Sequence, residues 1–475
     1  MVAPNGLSLK EGNKAFPVKI GLEVHGYLNT VEKLFCMCRT SADCDEEDLP
    51  NSRICPICTG TPGSKPMNAN GAAVSKMIQI GLVLGSKIHM GELLWHRKHY
   101  DWADNPKGYQ TTISGAHVTP CTIGGKFKGI NITETHLEED PAQWNPETGH
   151  VNYNRSGLPL IEIVTEPEFK NSGEVVLWLK SLLLTLSYIK AVRKNAGIKV
   201  DVNVSTYGER VEMKNLNSLE KIRKAIDYEI VRQIENHKNG VIQNRDTLAY
   251  DSKLGKTFKM RSKEGAADYR FIPDPDLPIL RVDKKMVLEI KKLIPEMPEV
   301  KLAKLLDKYK VDSANAKVLT RNLDLVEFFE ALVNNGVEVS RGISWVTIEL
   351  LRVLNYNKKS LEDSDIDIKP VHLAELIKAV EKGQITTLKG KQIMNDFVPS
   401  SFSLKDHKEE ISNIDESAIE NLAKQVINEN SHVVEEYKGG KETSLNFLIG
   451  QVMKRSNRRA DFKVATEILK KLIGE

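Results

Sequence analysis

Apolar and polar residues alternate along residues 18–25, and this alternation is the most informative feature of the chain. The apolar positions are Val18, Ile20, Leu22 and Val24. A period of two is typical of a β-strand with one buried face, so Glu23 and His25 share the other face. Side chains at i and i+2 point the same way from a rigid support, which a metal or phosphate site requires. The alternative is an ordinary half-exposed strand with polar residues.

The pattern changes along the chain. Short alternating strands with few helices are predicted from Phe16 to Leu280, whereas helical periodicity dominates from Pro295 onward. The stretch Pro273–Pro278 cannot continue a helix, and a second break falls at Phe397–Asp406. The predicted helices include Leu216–His237, capped by Asn217 or Ser218, and others near Lys301–Tyr309, Asn322–Asn334, Ser344–Leu354 and Lys369–Glu381.

These breaks predict an α+β protein of several domains, because 475 residues exceed the usual size of one core. We expect an N-terminal extension over residues 1–15 and a mixed β-rich domain over 16–294. An all-α domain over 295–405 and a small all-α domain over 406–475 follow.

Composition changes this picture little. Apolar residues make up 40% of the chain and charged residues 28%, with a net charge of +3, so a polyanion would have to meet a local basic patch. The apolar stretch Val175–Lys190 is interrupted by Lys180 and is too short to span a bilayer, and its spacing predicts a buried amphipathic helix. The first fifteen residues lack an apolar secretory core, so we expect a cytoplasmic protein.

Five of the six cysteines fall between residues 36 and 58. In a large protein outside an oxidising compartment, such clustering favours a metal site over disulfides. A C-x-C pair and a C-x-x-C pair offer four thiolates for one tetrahedral zinc, and with no open position the site would be structural. The four predicted ligands are Cys36, Cys38, Cys55 and Cys58. Cys44 is left over, and buried thiols without metal are the alternative.

Three further blocks are rich in polar residues: Trp95–Gln110, Asn131–Asp140 and Tyr153–Phe169. Within the third, Glu162 lies between two isoleucines, so it either faces solvent or is held inward by a partner. Taken singly, each block is explained by a surface turn or a half-exposed strand.

Together these blocks predict a divalent-cation site. The strand with Glu23 and His25, the acidic turn with Glu138 and Glu139, and the strand with Glu162 could bring two carboxylates and an imidazole around one ion. Magnesium takes one or two carboxylates plus substrate phosphate, and the histidine makes manganese an alternative. Lys98 and Lys107 would then face the phosphates of a nucleotide, in a site for phosphoryl transfer. A complete P-loop and a G-x-G-x-x-G motif are both absent from the sequence.

The last segment is locally basic. Between Tyr437 and Glu475, nine Lys or Arg residues stand against four Asp or Glu, and five of the cations lie in Lys454–Lys463. Such a cluster suits nucleic acid, although a solvated helical face explains it as well.

Several motifs in this sequence resemble the B subunit of the tRNA-dependent amidotransferases, in order and at similar distances. They are IGLEVH, the C-x-C with CPIC, NPKGYQ, HLEED, LPLIEIVTEP, VEMKNLNS and DYRFIPDPDLP. The resemblance covers essentially the whole chain. It implies a mixed β-rich cradle domain, a helical domain and a tail domain that grips tRNA.

The resemblance also implies an activity. In that family the B subunit uses ATP to phosphorylate the side-chain carboxylate of aspartate on the asparagine tRNA, of glutamate on the glutamine tRNA, or of both. Ammonia released from glutamine by the partner amidase, the A subunit, then displaces the phosphate, and a small C subunit holds the other two together.

The site residues implied by the resemblance follow position by position. The residues implied for the magnesium or manganese ion are His25, Glu139 and Glu162, with Glu23 and Glu138 beside them. The residues implied for binding the nucleotide and the acceptor end of tRNA are Lys98, Tyr100, Lys107 and Arg155. The four paired cysteines match zinc ligands present in part of the family. For tRNA the implied residues are Lys454, Arg455, Arg458 and Arg459. A non-catalytic, zinc-containing module that only holds tRNA is the rival hypothesis.

Overall fold

The computed structural model describes residues 10–11, 14–15, 17–40, 49–115, 118–194, 197–262, 270–407 and 413–474. Cys44 and most of the expected extension 1–15 lie outside these ranges. The chain forms two compact units, residues 1–297 and 298–475. The first is rich in β-strands and the second is helical in its described part, which confirms the α+β class.

The strands, numbered in chain order, all belong to the first unit. They are β1 (Lys10–Glu11), β2 (Lys14–Ala15), β3 (Lys19–Tyr27), β4 (Lys87–Ile88), β5 (Gly91–Leu93), β6 (His96–His99), β7 (Tyr109–Thr112), β8 (Thr122–Ile123), β9 (Lys126–Phe127), β10 (Ile130–Glu139), β11 (Gln143–Trp144), β12 (Val151–Asn152), β13 (Pro159–Thr165), β14 (Ile198–Ser205), β15 (Val211–Leu216), β16 (Asp246–Asp251), β17 (Lys256–Ser262), β18 (Arg270–Pro273) and β19 (Leu280–Val282).

The α-helices of the first unit are α1 (Gly71–Val83), α2 (Ser172–Tyr188), α3 (Leu219–Lys238) and α4 (Lys284–Lys292). Those of the second are α5 (Pro298–Asp307), α6 (Ser313–Leu319), α7 (Leu323–Asn334), α8 (Val339–Ser344), α9 (Leu351–Tyr356), α10 (Pro370–Glu381), α11 (Thr387–Asn395), α12 (Glu416–Glu429), α13 (Ser431–Lys438), α14 (Thr443–Arg455) and α15 (Phe462–Ile473). A π-helical turn, Trp345–Leu350, joins α8 to α9, and Leu404–His407 is a 3-10 turn.

One large mixed sheet organises the first unit. Its continuous path runs β17-β16-β15-β14-β3-β13-β10-β7-β6-β18, with β4, β8 and β9 attached at the side. Within this path β15 and β16 are parallel, and the other paired strands are antiparallel. β3 therefore lies in the middle of the sheet, between β13 and β14.

The two faces of the sheet differ in polarity, as the alternation in β3 predicts. Ile20, Leu22 and Val24 are at most 1% exposed. They belong to one core with the inward residues of β13 and β14 and with the apolar faces of α2 and α3. The core residues that α2 contributes are Val175, Trp178, Leu179, Leu182 and Leu186. The opposite face of the sheet carries the charged side chains.

Local signals set the ends of the helices. Ser218 caps α3, where its Oγ accepts a hydrogen bond from the backbone N–H of Lys221 at 3.2 Å. Helices at Pro298–Asp307, Leu323–Asn334 and Pro370–Glu381 match the predicted periodic segments closely.

Within the described ranges, no helix combines the length and hydropathy needed to cross a membrane.

Candidate active site

Cross-strand register gathers the charged side chains on the polar face. His25 on β3 pairs with Glu162 on β13, and Glu162 also pairs with His136 on β10. On the other side of β3, Glu23 pairs with Asp201 on β14. Residues directly opposite on neighbouring strands project to the same side, so five titratable groups converge from four strands.

Four of these side chains, all except His136, form part of the wall of a cavity of about 550 Å³. The wall is built mainly from charged and polar groups. The residues that line it are Glu23, His25, Tyr27, Lys98, Tyr100, Asp104, Gln110, Glu138, Asp140, Pro141, Arg155, Leu160, Glu162, Gly197, Lys199, Asp201, Glu212 and Lys214. A polar cavity on the open face of a rigid sheet is suited to a charged substrate.

The first cluster in this cavity consists of His25, Glu138 and Glu162. One ligand atom from each lies within 4.8 Å of the others, close enough for a shared metal ion. Nε2 of His25 is 3.1 Å from Oε2 of Glu162, and Nε2 of His136 is 3.2 Å from the same oxygen. Glu162 is thus held inward by two imidazoles. The sequence left open whether this acid faces solvent or is held inward by a partner, and the structure shows the second arrangement.

The charged groups in this cluster strongly shift one another's pKa values. Burial alone would lower the pKa of His25, but the hydrogen bond and charge of Glu162 raise it to about 9. The pKa of His136 is raised to about 10 against the same burial effect, mainly by the charge of Glu162. Burial, and then the charge of Glu162, raise the pKa of Glu138 to about 7. The two histidines hold the pKa of Glu162 well below its usual range despite burial.

A second cluster lies beside the first and contains only carboxylates. Oxygens of Glu23, Asp201 and Glu212 lie within 4.8 Å of one another. Nζ of Lys214 is 2.8 Å from Asp201 and 2.9 Å from Glu212. Burial and then the charge of Glu162 raise the pKa of Glu23. Three converging carboxylates repel one another unless a cation neutralises them, and an all-oxygen set is the kind that magnesium prefers.

Two predicted site residues, Glu139 and Lys107, lie elsewhere. Successive side chains of a strand point to opposite faces, so Glu138 reaches the cavity and Glu139 does not. Glu139 instead accepts hydrogen bonds from Nζ of Lys107 and from the backbone N–H of Thr111. Lys107 also lies over the ring of Tyr109. The geometry therefore brings Glu138, and not Glu139, beside His25 and Glu162, and Lys107 is not among the residues that line this cavity.

The other predicted nucleotide residues reach the cavity. Lys98 and Tyr100 line it, and Lys98 opposes the rise in the pKa of Glu138. Nε of Arg155 lies 3.0 Å from both Oδ2 of Asp140 and the carbonyl oxygen of Pro141. Arg155 is therefore fixed in the wall by its own hydrogen bonds.

The four predicted cysteines come together outside this cavity. Their sulfurs lie within 4.8 Å of one another, and those of Cys55 and Cys58 are 3.9 Å apart. A tetrahedral zinc with bonds of about 2.3 Å requires sulfur separations of about 3.8 Å, so the set fits this metal. The cysteines among the described residues are free thiols. The hydrogen bond from Cys36 and, further, the charge of Lys33 lower the pKa of Cys58 to about 4.

The predicted tRNA-facing cations lie at the end of α14 and in the loop that follows it. Lys454, Arg455 and Arg458 are exposed, and Arg459 is half-buried. Arg455 makes an ion pair with Glu429 of α12, with Nη1 2.9 Å from Oε1. Lys454 and Arg458 are therefore the most accessible charges of this group on geometric grounds.

Sequence reasoning missed His136, Asp201, Glu212 and Lys214. Alternation was the available signal, because Val200, Val202 and Val204 place Asp201 on the polar face of β14. Similarly, Glu212 and Lys214 alternate with buried residues of β15, and His136 precedes Glu138 by two positions on β10.

Comparison with known proteins defines the class to which this fold and site belong. A family model described as the GatB/GatE catalytic domain matches residues 18–288, and one described as the GatB domain matches residues 327–473. The chain belongs to the B-subunit family of the aspartyl/glutamyl-tRNA(Asn/Gln) amidotransferases, which confirms the resemblance seen in the motifs.

Individual relatives match this chain over at least 95% of its length. The chain is 40% identical to the B subunit of the aspartyl/glutamyl-tRNA(Asn/Gln) amidotransferase of Methanocaldococcus jannaschii, over 96% of this chain and 98% of the relative. It is 40% identical to the B subunit of the same name from Methanobrevibacter smithii, over 95% of this chain and 99% of the relative. It is 38% identical to the B subunit of the same name from Methanothermobacter thermautotrophicus, over 96% of this chain and 100% of the relative. Each relative is named as part of an amidotransferase enzyme.

Proposed function

We propose that this chain activates the side-chain carboxylate of aspartate or glutamate esterified to tRNA, using ATP, and then guides ammonia to the activated carbon. The observation that carries the proposal is the polar cavity, whose wall combines two groups of side chains that could hold a metal ion with four Lys or Arg side chains. The names of the relatives supply the substrates, Asp-tRNA(Asn) and Glu-tRNA(Gln).

The donor sets support one or two divalent cations. His25, Glu138 and Glu162 offer one nitrogen and two carboxylates, which suits magnesium or manganese. The all-carboxylate cluster is the second candidate, and Lys214 offsets part of its negative charge through its contacts with Asp201 and Glu212. Bound magnesium would offset the negative charge of the β- and γ-phosphates of ATP.

The residues of the chain then do the positioning. Lys98 and Lys199 attract the phosphates and the substrate carboxylate to the same wall, and Arg155 borders that wall. His136 holds Oε2 of Glu162 and so helps to fix the orientation of this carboxylate. A carboxylate oxygen brought in line with the γ-phosphate attacks its phosphorus and displaces ADP, which gives an acyl phosphate. Ammonia then attacks the carbonyl carbon, phosphate leaves with the carboxylate oxygen, and loss of a proton from nitrogen gives the amide. A free carboxylate resists this attack because it has no good leaving group.

The Cys36–Cys58 cluster supports a structural zinc in the same proposal. All four donors are thiols, so no coordination position remains for water, and catalysis by this metal is disfavoured. The zinc would fix a loop that has few apolar residues of its own.

We assign the supply of ammonia to a glutaminase partner, the A subunit, with a small C subunit holding the assembly together, as the family resemblance implies. The rival function, a zinc-containing module that holds tRNA without chemistry, leaves the two metal-binding clusters of the cavity unused. Amidation by the reconstituted assembly, tested with each mischarged tRNA, separates the two functions. ATP-dependent formation of Asn-tRNA or Gln-tRNA supports our proposal, and tRNA binding without ATP turnover favours the rival.

The exposed cations at the end of α14 and in the loop after it give a separate prediction for tRNA binding. Replacing Lys454 and Arg458 together by Ala should weaken tRNA binding and reduce the salt dependence of log K by about one to two units, because each neutralised phosphate contributes about 0.7–0.9 to that slope. Replacing Glu416 by Gln, at the exposed start of α12, is the control. A filter-binding titration from low to moderate salt measures both quantities. An unchanged slope would remove this surface from the tRNA site.

A further inference from the structure

Lys33 is a buried lysine that the proposed chemistry does not use. It lies in the segment between β3 and the first cysteine pair, and its relative exposure is 1%. Its Nζ donates hydrogen bonds to Sγ of Cys58 at 3.4 Å and to the carbonyl oxygen of Tyr153 at 3.2 Å. Among the described residues, no carboxylate is paired with it.

An ammonium group in such a position needs a nearby negative charge. Removing a cation from water is costly, and buried charges are therefore found paired or bound to metals. The charged partner in contact with Lys33 is the sulfur cluster. Four thiolates around one divalent metal carry a net charge of −2, whereas four protonated thiols carry none. The burial of Lys33 is therefore favourable when the cluster holds its metal and unfavourable when the cysteines are neutral.

The same lysine connects this cluster to the loop of residues 153–157. Two further hydrogen bonds accompany its bond to Tyr153. Oγ of Ser156 donates to the carbonyl oxygen of Cys58 at 2.6 Å, and the backbone N–H of Leu34 donates to the carbonyl oxygen of Gly157 at 2.8 Å. This loop carries Arg155 into the wall of the polar cavity.

We infer that Lys33 is the built-in counter-cation of a tetrathiolate metal centre and links that centre to the loop that positions Arg155. The inference rests on the proposed zinc site but not on the proposed use of ATP. Lys33 is a positioning residue, since it touches neither the cavity nor a reacting atom. Its N–H···S bond withdraws charge from the sulfur of Cys58, which makes this sulfur a poorer nucleophile toward electrophiles.

The test replaces Lys33 by Met, which keeps most of the side-chain length and removes the charge. Zinc content is measured on the purified full chain, and zinc release is followed with a chromophoric chelator during alkylation by iodoacetamide. Loss of a group that contacts a metal ligand typically costs about 10- to 100-fold in metal binding, so Lys33→Met should release zinc at least about tenfold faster than the wild type. Lys65→Met, an exposed lysine paired with Asp276, is the matched control and should release zinc at the wild-type rate.

Thermal stability and amide exchange complete the test. Lys33→Met should lower the melting temperature of the zinc-loaded chain but leave that of the zinc-stripped chain equal or higher, because a buried charge without a partner has been removed. Amide exchange over residues 153–157 should become faster in Lys33→Met and in the stripped wild type. An equal loss of stability in both forms, or unchanged zinc release, overturns the inference, as does unchanged exchange of the loop. A wild-type chain that binds no zinc overturns the zinc site as well, and it does so without any measurement of ATP turnover.

Discussion

Glu138→Gln is expected to lower ATP-dependent amidation by about 10²–10⁴-fold, because a metal ligand that acts on the transferring phosphoryl group supplies several kcal/mol. The effect should fall on kcat, since the amide keeps the shape of the side chain. In metal-free buffer the same change should leave the protein equally stable or more stable. Burial and the charge of Glu162 raise the pKa of Glu138 to about 7, so its ionised form opposes folding at neutral pH.

The neighbouring residue is the matched control for this prediction. Glu139 points away from the cavity and pairs with Lys107, so Glu139→Gln should cost about 2 kcal/mol of stability and change kcat by less than about tenfold. Steady-state amidation and thermal unfolding of the two variants measure the contrast. A large loss of kcat in Glu139→Gln with a mild effect in Glu138→Gln would reverse our assignment of the two carboxylates.

Glu162→Gln should be the most damaging single change in the cavity. It removes a proposed metal ligand and also the anion shared by His25 and His136. We expect at least about a 10³-fold loss of amidation. Unlike Glu138→Gln, it should also destabilise the metal-free protein, by about 3–5 kcal/mol, because breaking a buried charge pair leaves uncompensated charge.

This loss of stability should depend on pH in a defined direction. The pKa values of His25 and His136 are raised from 6.5 to about 9 and about 10, so their pairing with Glu162 is fully present below pH 6.5 and is lost as the pH rises through those values. Glu162 has a lowered pKa, so the pairing also fades when the pH falls below about 4.5.

The difference in unfolding free energy between wild type and Glu162→Gln should therefore be largest between the ordinary pKa values of Glu and His. It should shrink as the pH rises beyond that range and be largely lost above pH 10. Urea unfolding across this range, with chelator present, measures it. Glu166→Gln, just beyond the end of β13, is the control and should show a small difference that varies little over the same range. A difference in unfolding free energy between wild type and Glu162→Gln that stays constant with pH would contradict the charge pairing.

Much of this site could be predicted from local pattern. The alternation in β3 places Glu23 and His25 on one face, and the spacing of the four cysteines brings their sulfurs together as expected. Both are short-range properties: side-chain direction repeats every two residues in a strand, and the ligand pairs of a metal loop are close in sequence.

The remainder depended on information that no local pattern contains. The three consecutive acids 138–140 do not by themselves show which of them faces the cavity, because that depends on the register of β10 against β13. The second cluster combines residues from β3, β14 and β15, which become neighbours only through the strand order of the sheet. Register and strand order are set by packing of the whole apolar face and by long-range pairing.

Transfer of oxygen from the substrate to phosphate tests the central claim most directly. The reconstituted assembly is given ATP, glutamine and Glu-tRNA or Asp-tRNA whose side-chain carboxylate carries ¹⁸O, and the released phosphate is analysed by mass spectrometry. Activation through an acyl phosphate leaves one side-chain oxygen on phosphorus, so each phosphate released during amidation should contain one ¹⁸O atom. Release of unlabelled phosphate alongside amide formation would show that water attacks ATP instead, and it would contradict carboxylate activation in this cavity.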